Sequence, residues 1–151
     1  MMEIYSYARE FMRRTGNPDQ WGTTRPAQSD VEADIAAGNS YVITDDVTGK
    51  VCGTFFFRVG DDPTYARIEN GKWSDDTRPY GVIHRIAGDG TRSGVVKEAA
   101  EYCFRICPHL RIDTHRDNKI MQHVLGKLGF SPRGTIYVSD GSPRIAYEKS
   151  V

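Results

Sequence analysis

The chain has 151 residues, 38% of them hydrophobic and 11% aromatic, with Lys plus Arg and Asp plus Glu both at 20. That length suits one domain burying roughly two-thirds of its unfolded surface, and the hydrophobic share excludes wholesale disorder. A formal net charge of zero gives no electrostatic reason to expect nucleic acid or an anionic membrane as partner, and leaves little repulsion against a homodimer.

Ile4, Tyr7, Ala8, Phe11 and Met12 recur at helical spacing, so the chain opens in a helix that ends at Gly16. The segment is too charged for a signal peptide. Residues 17–22 are turn chemistry carrying Trp21, and Ser29 or Asp30 then caps a short helix closed by Gly38. Residues 41–44 and 51–59 read as an antiparallel hairpin. The polar stretch 61–79 contains Pro63 and Pro79, with Tyr65, Ile68 and Trp73, and its length marks a pocket-forming loop. A third strand, 81–87, enters the glycine-rich turn 88–94, and a helix follows from 95 to about 107. A strand over 110–114, a helix over 118–128 and a terminal hairpin, 134–138 with 144–149, complete the order. The fold class is α/β (α+β): one domain over 1–151, a mixed sheet with a parallel centre and helices packed on it.

Cys52, Cys103 and Cys107 make neither a disulfide framework nor a zinc spacing. No apolar run approaches the ~20 residues of a membrane span. The expected location is the cytoplasm.

The two central strands carry unusual charge. Parallel strands covered on both faces are normally apolar, yet the first holds His84 and Arg85 and the second Arg111 and Asp113, with His115 beyond. Such groups must pair, line an opening or bind something. Arg85 with Asp113 is the plain ion pair. Asp113, His115 and His84 have the composition of a two-histidine, one-carboxylate metal site, but the spacing is unspecific and no metal is assigned. Gly88, Gly90 and Gly94, with Arg92 and Ser93 where the helix begins, favour an anion on its open N-terminal amides. The turn lacks the Gly-Lys-Ser/Thr ending of a P-loop, against a nucleotide site of that type. Asn118 is an N-cap, and Met121, Val124, Leu125 and Leu128 share a core-facing stripe.

Ile83-His-Arg-Ile-Ala87, the turn through Arg92-Ser-Gly94, and the run from Asn118 through Lys127-Leu-Gly-Phe130 resemble the GNAT superfamily of acyl-CoA-dependent N-acetyltransferases over nearly the whole chain. The last run is the most specific of the three. The resemblance implies a sheet splayed between the strands at His84 and Ile112. Pantetheine would lie in the gap beside Ile86 and Ala87, and the pyrophosphate of acetyl-CoA on the amides of Arg92, Ser93, Gly94, Val95, Val96 and Lys97. Asn118 and Met121 would sit beside the cofactor. A strand N–H would stabilise an oxyanion, and a small-molecule or peptide amine would attack directly. Among candidate bases His84 comes first and His115 second, with Glu69 third; Tyr137, and after it Tyr80, could stand for the family's acid. Trp21, Tyr65, Glu69, Trp73 and Tyr80 would wall the acceptor pocket, buried aromatic packing being the equal alternative. Three departures stand out. The phosphate loop keeps only its central glycine, with Val96 at the last position; Leu125 replaces the usual tyrosine; and the family's first strand is missing, leaving an exposed sheet edge. These departures are also what a non-catalytic acyl-CoA-binding or regulatory module would show.

Overall fold

In the structure, a computed structural model that describes residues 1–150, the elements follow the expected order. They are α1 (Met2–Arg14), α2 (Gln28–Ala36), β1 (Ser40–Thr44), β2 (Val51–Val59), β3 (Gly81–Gly88), α3 (Val95–Ile106), β4 (His109–Thr114), α4 (Lys119–Lys127), β5 (Ser131–Tyr137) and β6 (Pro143–Ser150). Helix α1 buries Ile4, Tyr5 and Ala8, and stops where the Thr15 hydroxyl donates to the Phe11 carbonyl at 2.8 Å. Tyr7 and Phe11, expected in its apolar stripe, are instead over a third exposed. The expected cap of α2 does not form. Ala27 already has extended dihedrals, so the helix begins at Gln28 and leaves Asp30 in its first turn, against the positive helix end. Gly38 does close it, at φ 75°, with the Asn39 N–H on the Asp34 carbonyl at 3.0 Å. Among the described residues no helix is long and apolar enough to cross a membrane.

The six-stranded sheet runs β1-β2-β3-β4-β6-β5. Every neighbouring pair is antiparallel except β3 and β4, whose parallel register is confined to Gly81↔Leu110 and Val82↔Arg111. Past Val82 the two part, while β3 continues along β2 and β4 along β6. The sheet is therefore two antiparallel wings hinged at a two-residue contact. Gly81 makes that contact possible, since a Cβ there would fall 2.6 Å from the Phe57 ring and 2.9 Å from Leu110.

One face of the sheet packs Phe55, Phe57, Ile83, Leu110 and Ile112 against Ala99 and Cys103 of α3 and Leu125 of α4. The other is covered by α1 and α2 near Ala87, and by the loop 60–80 near Val82, Ile136 and Ala146. This loop is pinned throughout. Tyr65, Trp73 and Tyr80 are buried in it, Glu69 exchanges two backbone hydrogen bonds with Thr135, and Ser74 donates twice to the Glu148 carboxylate.

Strand β3 bends at a bulge. Phe56 faces His84 and Thr54 faces Ala87, so Arg85 and Ile86 together oppose one residue, Phe55. Arg85 takes φ 50°, a left-handed conformation uncommon outside glycine, and the Tyr5 hydroxyl donates to its carbonyl at 3.1 Å. The extra residue puts His84 and Ala87 on one face while Ile83 and Ile86 join the core on the other.

Candidate active site

Where the wings part, two depressions meet. The first, about 460 Å³, lies among the α1–α2 loop, the splayed ends of β3 and β4, and the β5–β6 turn. The second, about 300 Å³, lies between α1 and the N-terminal ends of α3 and α4. Met12, Ile86, Asn118 and Met121 line both, so they form one continuous cleft.

The second chamber is shaped by the glycine turn. Gly94, at φ 81°, is the N-cap of α3 and gives no side-chain bond, so the first amides of that helix have no side-chain partner. Gly90 fits under Tyr7, whose hydroxyl would lie 2.1 Å from a Cβ at that position. Tyr7, Phe11 and Ile120 account for their exposure by walling this chamber. Of the residues expected to hold a cofactor, Ile86, Ala87, Arg92 and Gly94 line it, as do Val95, Val96, Lys97, Asn118 and Met121, while Ser93 does not. Val96 forms wall and leaves the chamber open. Two of these side chains have partners within the chain: Arg92 pairs with Glu98, and Asn118 caps Met121 N–H at 3.0 Å while donating to Gln20 at 3.0 Å.

The first chamber is centred on His84. Its Nε2 lies 2.8 Å from Asp62 Oδ2, and its Nδ1 lies 3.7 Å from Asp113 Oδ2. Burial pushes the Asp62 carboxyl up, but the hydrogen bond from His84, the positive charge that ring carries in acid, and the Thr64 amide outweigh it and draw it down to about 2. Asp62 is thus an ionised acceptor, which places a hydrogen on Nε2, so that in the neutral imidazole Nδ1 carries the lone pair. Asp113 accepts from the Tyr65 hydroxyl at 2.7 Å. The Arg85–Asp113 ion pair does not exist. The bulge and the splay separate them, and Arg85 instead pairs with Asp34 of α2 at 3.5 Å.

Apart from Trp21, the other expected catalytic and acceptor residues do not line this chamber. His115 sits in the turn after β4, accepting the Asp117 N–H on Nδ1 at 3.0 Å; burial, then the charge of Arg144, holds its pKa down. No metal-ligand triad with His84 and Asp113 assembles among the described residues. Tyr137 lies on β5 under the Arg67 guanidinium, 5.2 Å from its ring centroid, and Glu69 is tied to Arg67 and to β5. Trp73 and Tyr80 sandwich Arg111 at 4.1 and 3.9 Å, so they are loop core. Tyr65 does not line the chamber but backs it, through its bond to Asp113 and its ring packed 5.7 Å from that of His84. Trp21 does line it. The sequence reading missed Asp62, Asp34 and Arg144, all of which line the chamber. For Arg144 a signal existed: it is an arginine on a strand of the terminal hairpin.

No protein-family model matches the sequence, and no curated protein is significantly similar to it. Solved structures are similar. A GNAT-family acetyltransferase of Streptococcus agalactiae superposes with a TM-score of 0.86 at 30% identity, covering 100% of this chain and 87% of that one. A GNAT-family acetyltransferase of Listeria monocytogenes gives 0.68 at 18% identity, covering 99% and 86%. The NatC complex bound to Gag peptide and CoA gives 0.59 at 14% identity, covering 97% and 91%, a likeness of fold alone. With its splayed mixed sheet and a relative 30% identical over the whole of this sequence, the chain belongs to the GNAT family of acetyltransferases.

Proposed function

We propose that the protein is an acyl-CoA-dependent N-acetyltransferase that moves an acetyl group from acetyl-CoA to a primary amine of a small molecule or peptide. One observation carries the reading: a single cleft has open helix amides at one end and an aspartate-held histidine at the other. The residues fit the donor. The amides of Val95, Val96 and Lys97 would take its pyrophosphate. The β4-facing edge of β3 beyond Val82, which has no strand partner, would pair with the pantetheine amides. The NatC and NatB complexes solved with CoA support the donor class.

The donor supplies an activated acyl carbonyl. At the other end, His84 takes a proton from the acceptor ammonium on Nδ1 while Asp62 holds Nε2–H. The freed amine forms the C–N bond as the C–S bond breaks. Of the two amine protons lost, one goes to His84 and the other ends on the departing sulfur. No tyrosine hydroxyl lines the junction of the two chambers, because Leu125 is fully buried in the core and Tyr137 lies outside the cleft.

Thiol release from acetyl-CoA across a panel of amines tests the reading, with His84→Ala as control. Turnover that drops by roughly 100-fold or more in the variant supports it. CoA binding without turnover of any amine would reduce the protein to a binding module.

A further inference from the structure

Apart from Asp30, exposed in the first turn of α2, the charges of the first chamber pair off with one exception of each sign. Asp62 goes with His84, Asp34 with Arg85 at 3.5 Å, and Arg25 with Asp140 at 3.1 Å. What remains inside is Arg144 and Asp113. Arg144 is 5% exposed, yet its guanidinium touches only neutral acceptors: the Ser142 hydroxyl at 3.1 Å, the Pro143 carbonyl at 2.9 Å and the Gln20 carbonyl at 3.0 Å. Among the described residues no carboxylate lies within 4.0 Å of it. A cation so buried without an anion is costly unless something supplies one. Burial pushes its pKa down, against the pull of Asp113 and Asp140.

Asp113 presents the opposite deficit. Its Oδ2 accepts from the Tyr65 hydroxyl at 2.7 Å and, when the imidazole is neutral, faces the lone pair of His84 Nδ1 across 3.7 Å. An ammonium group fits that gap, giving one N–H to each. The register Asp113↔Ala146 puts Arg144 two residues along β6 on the same face, a diagonal separation on the order of 7 Å. That is the span of a molecule whose amine and carboxylate are a few bonds apart. The Arg25–Asp140 pair and the Arg144–Gln20 bond also tie the α1–α2 loop to the β5–β6 turn, both of which wall the chamber, against the exit a polypeptide would need.

We propose that the acceptor is a small zwitterion, a free amino acid whose ammonium sits between Asp113 and His84 and whose carboxylate is held by Arg144. The assignment of acceptor class rests on the transferase reading above; binding of the zwitterion does not. The test compares free amino acids with their carboxamides, which keep the amine and lose the charge, on the wild-type protein, Arg144→Gln and Asp113→Asn. The acids should lead their carboxamides in kcat/KM by roughly 10- to 100-fold, the worth of a charge-assisted bond. Arg144→Gln should bring the acids down to the carboxamide level, and Asp113→Asn should depress both alike, with CoA affinity by calorimetry unaltered. Equal rates for acid and carboxamide, or a preference that survives Arg144→Gln, would overturn it, as would faster turnover of peptide N-termini. Calorimetric titration with the same acids and carboxamides separates the two readings. Acid-selective binding that depends on Arg144 sustains the zwitterion site even where no acetyl transfer occurs, and no binding of either sinks it. Should Arg144→Gln fail to fold, the wild-type preference and Asp113→Asn still decide.

Discussion

At the scale of single residues, the position of His84 is set by its neighbours. A histidine in a strand was conspicuous in the sequence because charge is unexpected in a central parallel strand. Asp62 was invisible: it lies 22 residues away in a loop without periodicity, and only the fold brings it to 2.8 Å. Asp62→Asn removes the charge that fixes the ring, so kcat should fall on the order of 100-fold with KM little altered, read by thiol release. The same substitution has a stability signature. The folded pKa of Asp62, about 2, lies below its ordinary 3.8, so its contribution is fully present above 3.8 and is lost as pH falls toward 2. Urea unfolding should therefore show Asp62→Asn less stable by about 2 kcal/mol near neutrality, with the gap closing in acid. A gap that ignores pH would remove the ionised pair.

At the scale of elements, the strands and helices were readable because alternation and helical spacing are local signals. The destination of the loop 60–80 was not, since it is fixed by contacts remote in sequence. Of the two readings open to its aromatic residues, pocket wall or buried packing, Trp73 and Tyr80 take the second. The anchor is Glu148, buried in β6, which takes Ser74 at 2.6 and 2.8 Å, His109 at 2.7 Å and Arg111 at 3.3 Å. Burial raises the Glu148 carboxyl, but the bonds from Ser74 and His109 prevail and hold its pKa below the ordinary 4.5. Its contribution is thus present above 4.5 and is lost as pH falls through the lower folded value. Glu148→Ala leaves the buried Arg111 with only the exposed Asp76 carboxylate at 3.2 Å and should cost roughly 3–5 kcal/mol in chemical denaturation. Gly71→Ala tests the other anchor. A Cβ there would lie 1.8 Å from the Arg133 carbonyl, so the loop must lift from β5, and proteolysis within 60–80 should accelerate. Unaltered cleavage would mean that the loop accommodates the methyl group.

At the scale of the molecule, the splay was legible only through a family resemblance, because register between parallel strands leaves no local mark on the residues themselves. The two wings are joined in strand pairing only at Gly81↔Leu110 and Val82↔Arg111, and α3 packs on β2, β3 and β4 across the divide. A ligand in the gap would replace the missing strand pairing for β3 and the missing caps for α3, binding the folded protein alone. At 100 times its Kd, CoA should stabilise the fold by about 2.7 kcal/mol, which for a chain this size is a rise in Tm of roughly 5–10 °C. The pattern matters more than the size. Hydrogen exchange should slow along β3 beyond Val82 and in the first turn of α3, whereas Gly81 and Val82, already at the strand contact, should gain no more than the global increment. Uniform protection of every amide would indicate binding elsewhere, and protection confined to the wing edges at β1 and β5 would separate the donor from the cleft altogether.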